Sequence, residues 1–318
     1  MSERPTLGVI MDPIHSLHPE KDTTLALLAE AKNRGFDLYY MELSHLYLKY
    51  GNAWGHCYSL ELYPNALPSY VLSKPTARPL DQFDVLLMRK DPPVNMEYIY
   101  ATYILEHAEQ NGTLVINKPQ ALRDANEKLF ATWFPQCMPP TVVSGSKRIL
   151  KEFIEEQGPT VLKPLNGMGG QNILKTEPGD LNLTVMIDML TQHGTCPIMA
   201  QQFIPAIEAG DKRVLLIDGE PIPYALARIP APNEFRGNLA AGGQGIGCEL
   251  SDRDWWICSQ IGAVLREKGL TFVGIDIIGD YLTEINVTSP TCLRELEAEF
   301  DLNIAGKVID CIMRKMDE

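Results

Sequence analysis

Apolar positions along the chain alternate between short strand-like runs and helical spacings. Residues 7–11 form an apolar run that stops at Asp12-Pro13. Residues 21–34 follow, with Leu25, Leu28 and Ala29 at helical spacing and Gly35 as terminator, and residues 36–41 are again strand-like. This β-α-β opening predicts a parallel sheet with covering helices. Residues 51–80 carry four prolines and show little pattern beyond a hairpin. Strand 85–88 ends in Arg89-Lys90-Asp91-Pro92-Pro93. Ligands of open α/β sheets bind beyond the carboxyl ends of strands, so Arg89 and Lys90 are candidates to hold a substrate carboxylate; a solvated basic pair is the alternative. A helix over 96–111 closed by Gly112, a strand over 113–117 and a helix carrying Asn126, Glu127, Lys128 and Phe130 complete this part, with a domain boundary near residue 121.

The pattern then changes to hairpins. Ser146 caps a helix to Gln157, and residues 159–164 form an apolar strand with Lys163 inside it, an unusual place for an ammonium unless it is paired. Asn166-Gly167-Met168-Gly169-Gly170 follows, then a strand over 172–175. Such a turn brings backbone N–H groups close to phosphate oxygens, although a purely conformational role fits the same glycines. Neither the Walker A pattern nor GxGxxG is present, so a nucleotide here would be covered by a flap. A strand over 197–204 and a hairpin over 214–217 and 222–227, turning at Asp218-Gly219, lead to residues 230–247, rich in glycine and proline without periodicity. A long loop of this kind reads as a mobile lid, with Arg236 suited to an anionic site. A helix over 251–268, a hairpin over 272–286 and helices near 292–300 and 304–315 end the chain.

The 272–291 stretch, FVGIDIIGDYLTEINVTSPT, carries Asp276, Glu284 and Asn286 among apolar residues. Glu284 and Asn286 share a strand face. An even turn at Gly279-Asp280 would put Asp276 on the face of Tyr281, Thr283 and Ile285. An odd loop over Ile278-Gly279-Asp280 with a bulge joins Asp276 to Glu284 and Asn286 and leaves Val273, Ile275, Ile277, Tyr281, Thr283 and Ile285 opposite. The cleaner segregation favours the odd loop. Two carboxylates and an amide oxygen are hard ligands suited to Mg2+ or Mn2+.

Composition narrows the function. The chain has 318 residues, 45% hydrophobic and 22% charged, as in soluble globular proteins, and a net charge of −13 argues against nucleic acid. No apolar run approaches a membrane span, the first residues lack a signal-peptide pattern, and seven cysteines without CxxC spacing suggest reduced thiols in a cytoplasm. Six scattered histidines form no triad or HExxH. Phosphoryl transfer, which needs charge neutralisation and positioning more than acid–base groups, suits these residue types.

In order, Lys128, Lys163-Pro164, the 167–170 flap, Asp211-Lys212-Arg213, Arg236, Asp276, Glu284 and Asn286 resemble the ATP-grasp enzymes. Over its whole length the chain is similar to the bacterial glutathione synthetase family. LLMRKDPP (86–93), NKPQALRDANEKLF (117–130), LKPLNGMGG (162–170), GDKRVLLIDGEPIPYALARIP (210–230), RGNLAAGG (236–243) and VGIDIIGDYLTEINVTSPT (273–291) carry the likeness.

The resemblance implies an ATP-grasp fold of α/β class. An N-terminal parallel-sheet domain would span 1–121, a middle lid subdomain 122–200, and an antiparallel-sheet subdomain with the metal site and mobile loop 201–318. It implies a ligase joining γ-glutamylcysteine to glycine through an acyl phosphate, with ATP cleaved to ADP and phosphate and two magnesium (or manganese) ions as cofactors. By the same likeness Lys128 and Lys163 contact the ATP phosphates under the flap of Gly167, Met168, Gly169 and Gly170. Gln201, Gln202, Phe203 and Ile204 border the adenine and Asp211 lies near the ribose. Arg213 faces the transferring phosphate, Arg236 belongs to the shielding loop, and Asp276, Glu284 and Asn286 are the metal ligands. Arg89, Lys90, Ser289 and Thr291 decide the substrate, against a D-alanine ligase-like or peptide-tailing enzyme or a non-catalytic ATP-binding module. The resemblance also implies a homotetramer. Gln244 departs from the family pattern, which has a basic residue after the double glycine.

Overall fold

A computed structural model of the chain describes residues 4–63, 69–232, 234–237 and 242–318. The apolar runs of the first part become a mixed sheet: β1 (Thr6–Ile10), β2 (Asp37–Met41), β3 (Leu46–Lys49), β4 (Asn52–Leu62), β5 (Tyr70–Leu72), β6 (Thr76–Pro79), β7 (Val85–Met88) and β8 (Leu114–Ile116). The order is β3-β4-β2-β1-β7-β8, with β5 and β6 on β4, and β2, β1, β7 and β8 run parallel. The central strand β7 is buried at every position, as a sheet covered on both faces requires. Helix α1 (Thr23–Asn33) covers the face of Leu7 and Val9, and α2 (Met96–Gln110) the face of Ile10 and Met88. Side chains of Asp22 and Asn95 cap these helices by accepting from Leu25 N and Tyr98 N.

Two expectations fail in this part. Among the described residues, 51–80 hold three strands, β4, β5 and β6, rather than one hairpin. The buried positions of β4 are Ala53, Gly55 and Cys57, then Leu60 and Leu62, so small residues and a change of parity mask the alternation. Helix α3 (Pro119–Asp124) also stops before Asn126. The Asn126 side-chain oxygen accepts from the N–H groups of Lys128 and Leu129, a local turn that competes with the helix.

The second sheet contains β9 (Thr141–Ser144), β10 (Thr160–Pro164), β11 (Leu174–Thr176) and β12 (Ile198–Gln202), antiparallel in the order β11-β10-β12-β9. Helices α4 (Lys147–Gln157) and α5 (Leu183–Leu190) pack on one face around Leu150, Ile154, Leu162 and Ile187, a core of its own.

The third sheet has the order β15-β14-β13-β16-β17, from β13 (Asp211–Ile217), β14 (Glu220–Ile229), β15 (Gln244–Glu249), β16 (Phe272–Ile278) and β17 (Tyr281–Asn286). Helices α6 (Asp252–Glu267), α7 (Leu293–Phe300) and α8 (Ile304–Met316) accompany it. Its apolar positions join the clusters of the first sheet: Val273 and Ile275 lie in one core with Ile10 and Tyr98, and Leu215 and Ile309 in the other with Leu7 and Leu28. Asn117 ties the two sheets together, donating to the carbonyls of Phe272 and Val287 and accepting from Phe272 N.

The expected lid over 230–247 is shortened at its end, because residues from Gln244 onward pair with β14 as an edge strand, Gln244 opposite Ile229. Residues 233 and 238–241 of that expectation lie outside the described residues.

Candidate active site

The β16–β17 hairpin turns through the two residues Gly279-Asp280, with Gly279 at φ +56°, so Ile278 faces Tyr281 and Ile277 faces Leu282. The register then slips by one: Asp276 faces Glu284, Ile275 faces Ile285 and Gly274 faces Asn286. The odd loop expected from the sequence is therefore wrong. The turn is even, and Thr283 is an extra residue bulged out of β17, its hydroxyl donating to the Asp276 carbonyl at 3.1 Å. Asp276, Glu284 and Asn286 still share a face. Tyr281 moves to that face and is partly exposed, while Leu282 takes the core position expected for Tyr281.

The neighbouring strand adds cations. Arg213 of β13 lies opposite Asp276, and Asp211 opposite Arg228 of β14. Arg213 donates to Asp276 through Nε (2.5 Å) and Nη2 (3.0 Å); Arg228 Nη2 lies 2.9 Å from Asp276 Oδ2 and 2.6 Å from Asp211 Oδ2. All four groups are buried. Burial opposes the Asp276 charge, but Arg213 and Arg228 outweigh it and hold the carboxyl below the usual carboxylate range. For Asp211 burial wins over Arg228, and its carboxyl is pushed up to about 6. Its Oδ1 is buried without a hydrogen-bond partner.

Lys128 approaches from the turn after α3, its Nζ 3.0 Å from Glu284 Oε1 and 3.1 Å from the Gly167 carbonyl. Burial works against its charge, but Glu284 more than restores it. Lys163 is buried on β10 with Nζ 2.7 Å from Gln201 Oε1, and burial lowers its pKa, since among the described residues it forms no ion pair. The glycine turn joins β10 to β11 as a hairpin, with Gly167, Gly169 and Gly170 at φ +142°, +64° and +75°. Arg236 Nη1 donates to the Gly170 carbonyl at 3.1 Å and so fastens the segment after β14 to the flap.

Two clefts result. The first, about 810 Å³, lies between the second and third sheets and is lined by Lys128, Lys163, Gly167 to Gly170, Gln201 to Ile204, Asp211, Arg236, Asp276 and Glu284. The second, also about 810 Å³, is lined by Arg213, Arg228, Asn286, Thr288, Ser289 and Thr291, with Asp91, Pro92 and Glu127. They meet at Gly167, Met168, Gly169 and Glu284.

Arg89 and Lys90 line neither cleft. Arg89 is buried, donating to Thr24 Oγ1 (3.1 Å) and the Pro290 carbonyl (2.9 Å), and braces the Ser289-Pro290-Thr291 turn from behind. Lys90 Nζ is 2.8 Å from Asp12 Oδ1. The expectation that either presents a free charge to a ligand is not met by this geometry. Sequence reasoning passed over Arg228, Asp91 and Glu127. Arg228 had a signal, a charge inside the apolar run YALARIP, the same feature that singled out Lys163. Asp91 shared the strand-end position of Arg89 and Lys90, whereas Glu127 had no signal, because its contacts are to Val287 and Thr288, far along the chain.

Family models for the prokaryotic glutathione synthetase N-terminal domain and ATP-grasp domain match residues 6–123 and 127–301. A glutathione synthetase of Pseudomonas syringae pv. tomato is 55% identical, with 98% of this chain and 97% of that protein covered. That of Pseudomonas aeruginosa is 54% identical, with 98% of each chain covered. That of Escherichia coli K12 is 53% identical, with 98% and 99% covered. Among solved structures, D-cycloserine synthetase DcsG superposes with TM-score 0.68 at 13% identity, covering 98% and 99% of the two chains. The ATP-grasp ligase PsnB complexed with minimal precursor, Mg and ADP superposes with TM-score 0.62 at 17% identity, covering 98% of each. The fold is the ATP-grasp fold.

Proposed function

The chain belongs to the prokaryotic glutathione synthetase family, and from that premise we propose how its two clefts divide the work. The protein is an ATP-dependent ligase that makes glutathione from γ-glutamylcysteine and glycine. The first cleft takes ATP and the second takes the dipeptide. The observation that carries this division is their meeting point at Gly167 to Gly169 and Glu284, which lets a terminal phosphate in one approach a carboxylate in the other.

In this reading Lys128 and Lys163 neutralise phosphate charge from opposite sides, and the flap N–H groups lie over the phosphates. The apolar and amide groups of Gln201 to Ile204 border the base, and the unpartnered Asp211 Oδ1 accepts from a ribose hydroxyl. Arg213, fixed in direction by Asp276, stabilises charge on the phosphoryl group as it moves to the cysteinyl carboxylate. The amine of glycine then attacks the acyl phosphate, forming the amide and releasing phosphate. Arg236, tied to Gly170, keeps water from that intermediate.

Asp276, Glu284 and Asn286 would hold magnesium. The oxygen donors suit the ion, and the buried side-chain nitrogen of Asn286 lacks a hydrogen-bond partner, so exchanging its amide oxygen and nitrogen leaves no satisfied bond behind. Asp276 already carries two arginines, which leaves Glu284 and Asn286 as the freer donors. An ion held there would supply neutralisation of phosphate charge. Two such ions, a homotetramer, a cytoplasmic setting and the three-part division 1–121, 122–200 and 201–318 complete the reading, on the family likeness. Phosphate release with γ-glutamylcysteine plus glycine, compared with D-alanine alone, tests it; release only with D-alanine contradicts it.

A further inference from the structure

Three carboxylates line the second cleft: Asp91, Glu127 and Glu284. Glu284 is paired with Lys128. Glu127 is turned into the protein, its Oε1 accepting from Val287 N (2.9 Å), Thr288 N (3.1 Å) and Thr288 Oγ1 (2.9 Å). Asp91 differs. Among the described residues it makes no ion pair; the Ser289 hydroxyl hydrogen-bonds its carboxylate, and Arg89 and Lys90 lie near enough to act on its charge without pairing with it. The basic residues beside it are committed elsewhere: Lys90 Nζ to Asp12 and to the Asp91 carbonyl, Arg89 to Thr24 and Pro290. Its backbone is fixed by a bond from Asp91 N to Asp12 Oδ2 at 2.9 Å. A partly buried carboxylate on a rigid loop that lines the cleft without an ion pair of its own, the cleft's arginines Arg213 and Arg228 being held by Asp276 and Asp211, is built to receive a cation.

We infer that Asp91 is a specificity-determining residue that receives the α-ammonium group at the γ-glutamyl end of the dipeptide. This rests on the second cleft being the dipeptide's seat. The reacting cysteinyl carboxylate must lie where the clefts meet, and Asp91 lines only the second. The γ-glutamyl end therefore extends toward Asp91, and it bears the dipeptide's one ammonium group. The ammonium of glycine is the weaker fit, because glycine must lose a proton before it attacks, and a carboxylate contact would hold that proton in place.

The experiment compares γ-glutamylcysteine with glutarylcysteine, which lacks only the α-ammonium, in the wild type, Asp91→Asn and Asp91→Glu. In the wild type kcat/KM is expected to be about 10- to 100-fold lower for glutarylcysteine. Asp91→Asn is expected to lose a similar factor with γ-glutamylcysteine, to stay within about threefold of the wild type with glutarylcysteine, and to keep its KM for glycine. Asp91→Glu retains the charge and is expected to retain part of the preference. Equal losses on both dipeptides in Asp91→Asn would reduce Asp91 to a brace for Ser289, and a raised KM for glycine would move its partner to the other substrate; either overturns the inference. A wild type that uses both dipeptides equally also overturns it, even if no variant folds. Failure of the wild type to ligate γ-glutamylcysteine at all would instead remove the function on which the inference rests.

Discussion

Glu284 lines both clefts and lies 3.0 Å from the Lys128 ammonium, so its charge is placed where transferring phosphate must pass. Glu284→Gln keeps the shape and removes the charge. It is expected to lower kcat by about 10²- to 10³-fold, and near-normal turnover would take Glu284 out of the chemistry. Asp211 and Asp276 share Arg228 but titrate with opposite signs. The Asp276 carboxyl is held down, so its stabilisation exists above its unfolded pKa and is lost only on strong acidification. The Asp211 carboxyl is pushed up to about 6, mainly by burial, so its stabilisation is present below its unfolded value and lost as pH rises through about 6. The advantage of the wild type over Asp211→Asn in urea unfolding is therefore expected to shrink between about pH 4 and pH 6; a constant or growing advantage would contradict the assignment. Lys163 was legible in the sequence because an ammonium inside an apolar strand demands a partner, and Arg228 carried the same signal. Whether Arg89 faces ligand or interior was not legible, because its partners Thr24 and Pro290 are distant in sequence.

At the scale of elements, the flap is a hairpin whose glycines adopt left-handed conformations: Gly169 has φ +64°. A β-branched residue there strains the turn by about 1–2 kcal/mol. Gly169→Val is thus expected to raise the KM for ATP about tenfold, as a strain of that size converts at 1.4 kcal/mol per factor of ten. Initial rates at varied ATP test this, and an unchanged KM would mean the flap does not touch the nucleotide. The metal-site hairpin shows where local reasoning ends. Alternation and the hydrophobic segregation placed Asp276 with Glu284 and Asn286, but not the device that puts them there. Leu282 and Thr283 each tolerate either face in a pattern argument, so a bulge at Thr283 and an odd turn give the same sorting. Strand β4 escaped notice for a different reason, since its buried face begins with alanine, glycine and cysteine.

Across the whole molecule, the first and third sheets share two continuous cores, one of which Met199 of β12 also joins, whereas the other face of the second sheet and its helices have a core of their own. The flap of the second sheet lines the same cleft as Asp276 and Glu284 of the third. Arg236 links the segment after β14 to the flap through Gly170. Arg236→Ala is expected to raise phosphate released per glutathione formed several-fold above one while leaving the melting temperature nearly unchanged; strict coupling in the variant would deny Arg236 a shielding role. A chain with net charge −13 gathers buried lysines and arginines around the two clefts, as handling of ATP and a carboxylate requires. The central claim, that the clefts meet so that ATP phosphorylates the dipeptide's carboxylate, is tested most directly with 18O in the cysteinyl carboxylate of γ-glutamylcysteine. Each turnover is expected to deliver one 18O atom into the released phosphate. Phosphate free of label, with glutathione formed normally, would contradict the acyl-phosphate route.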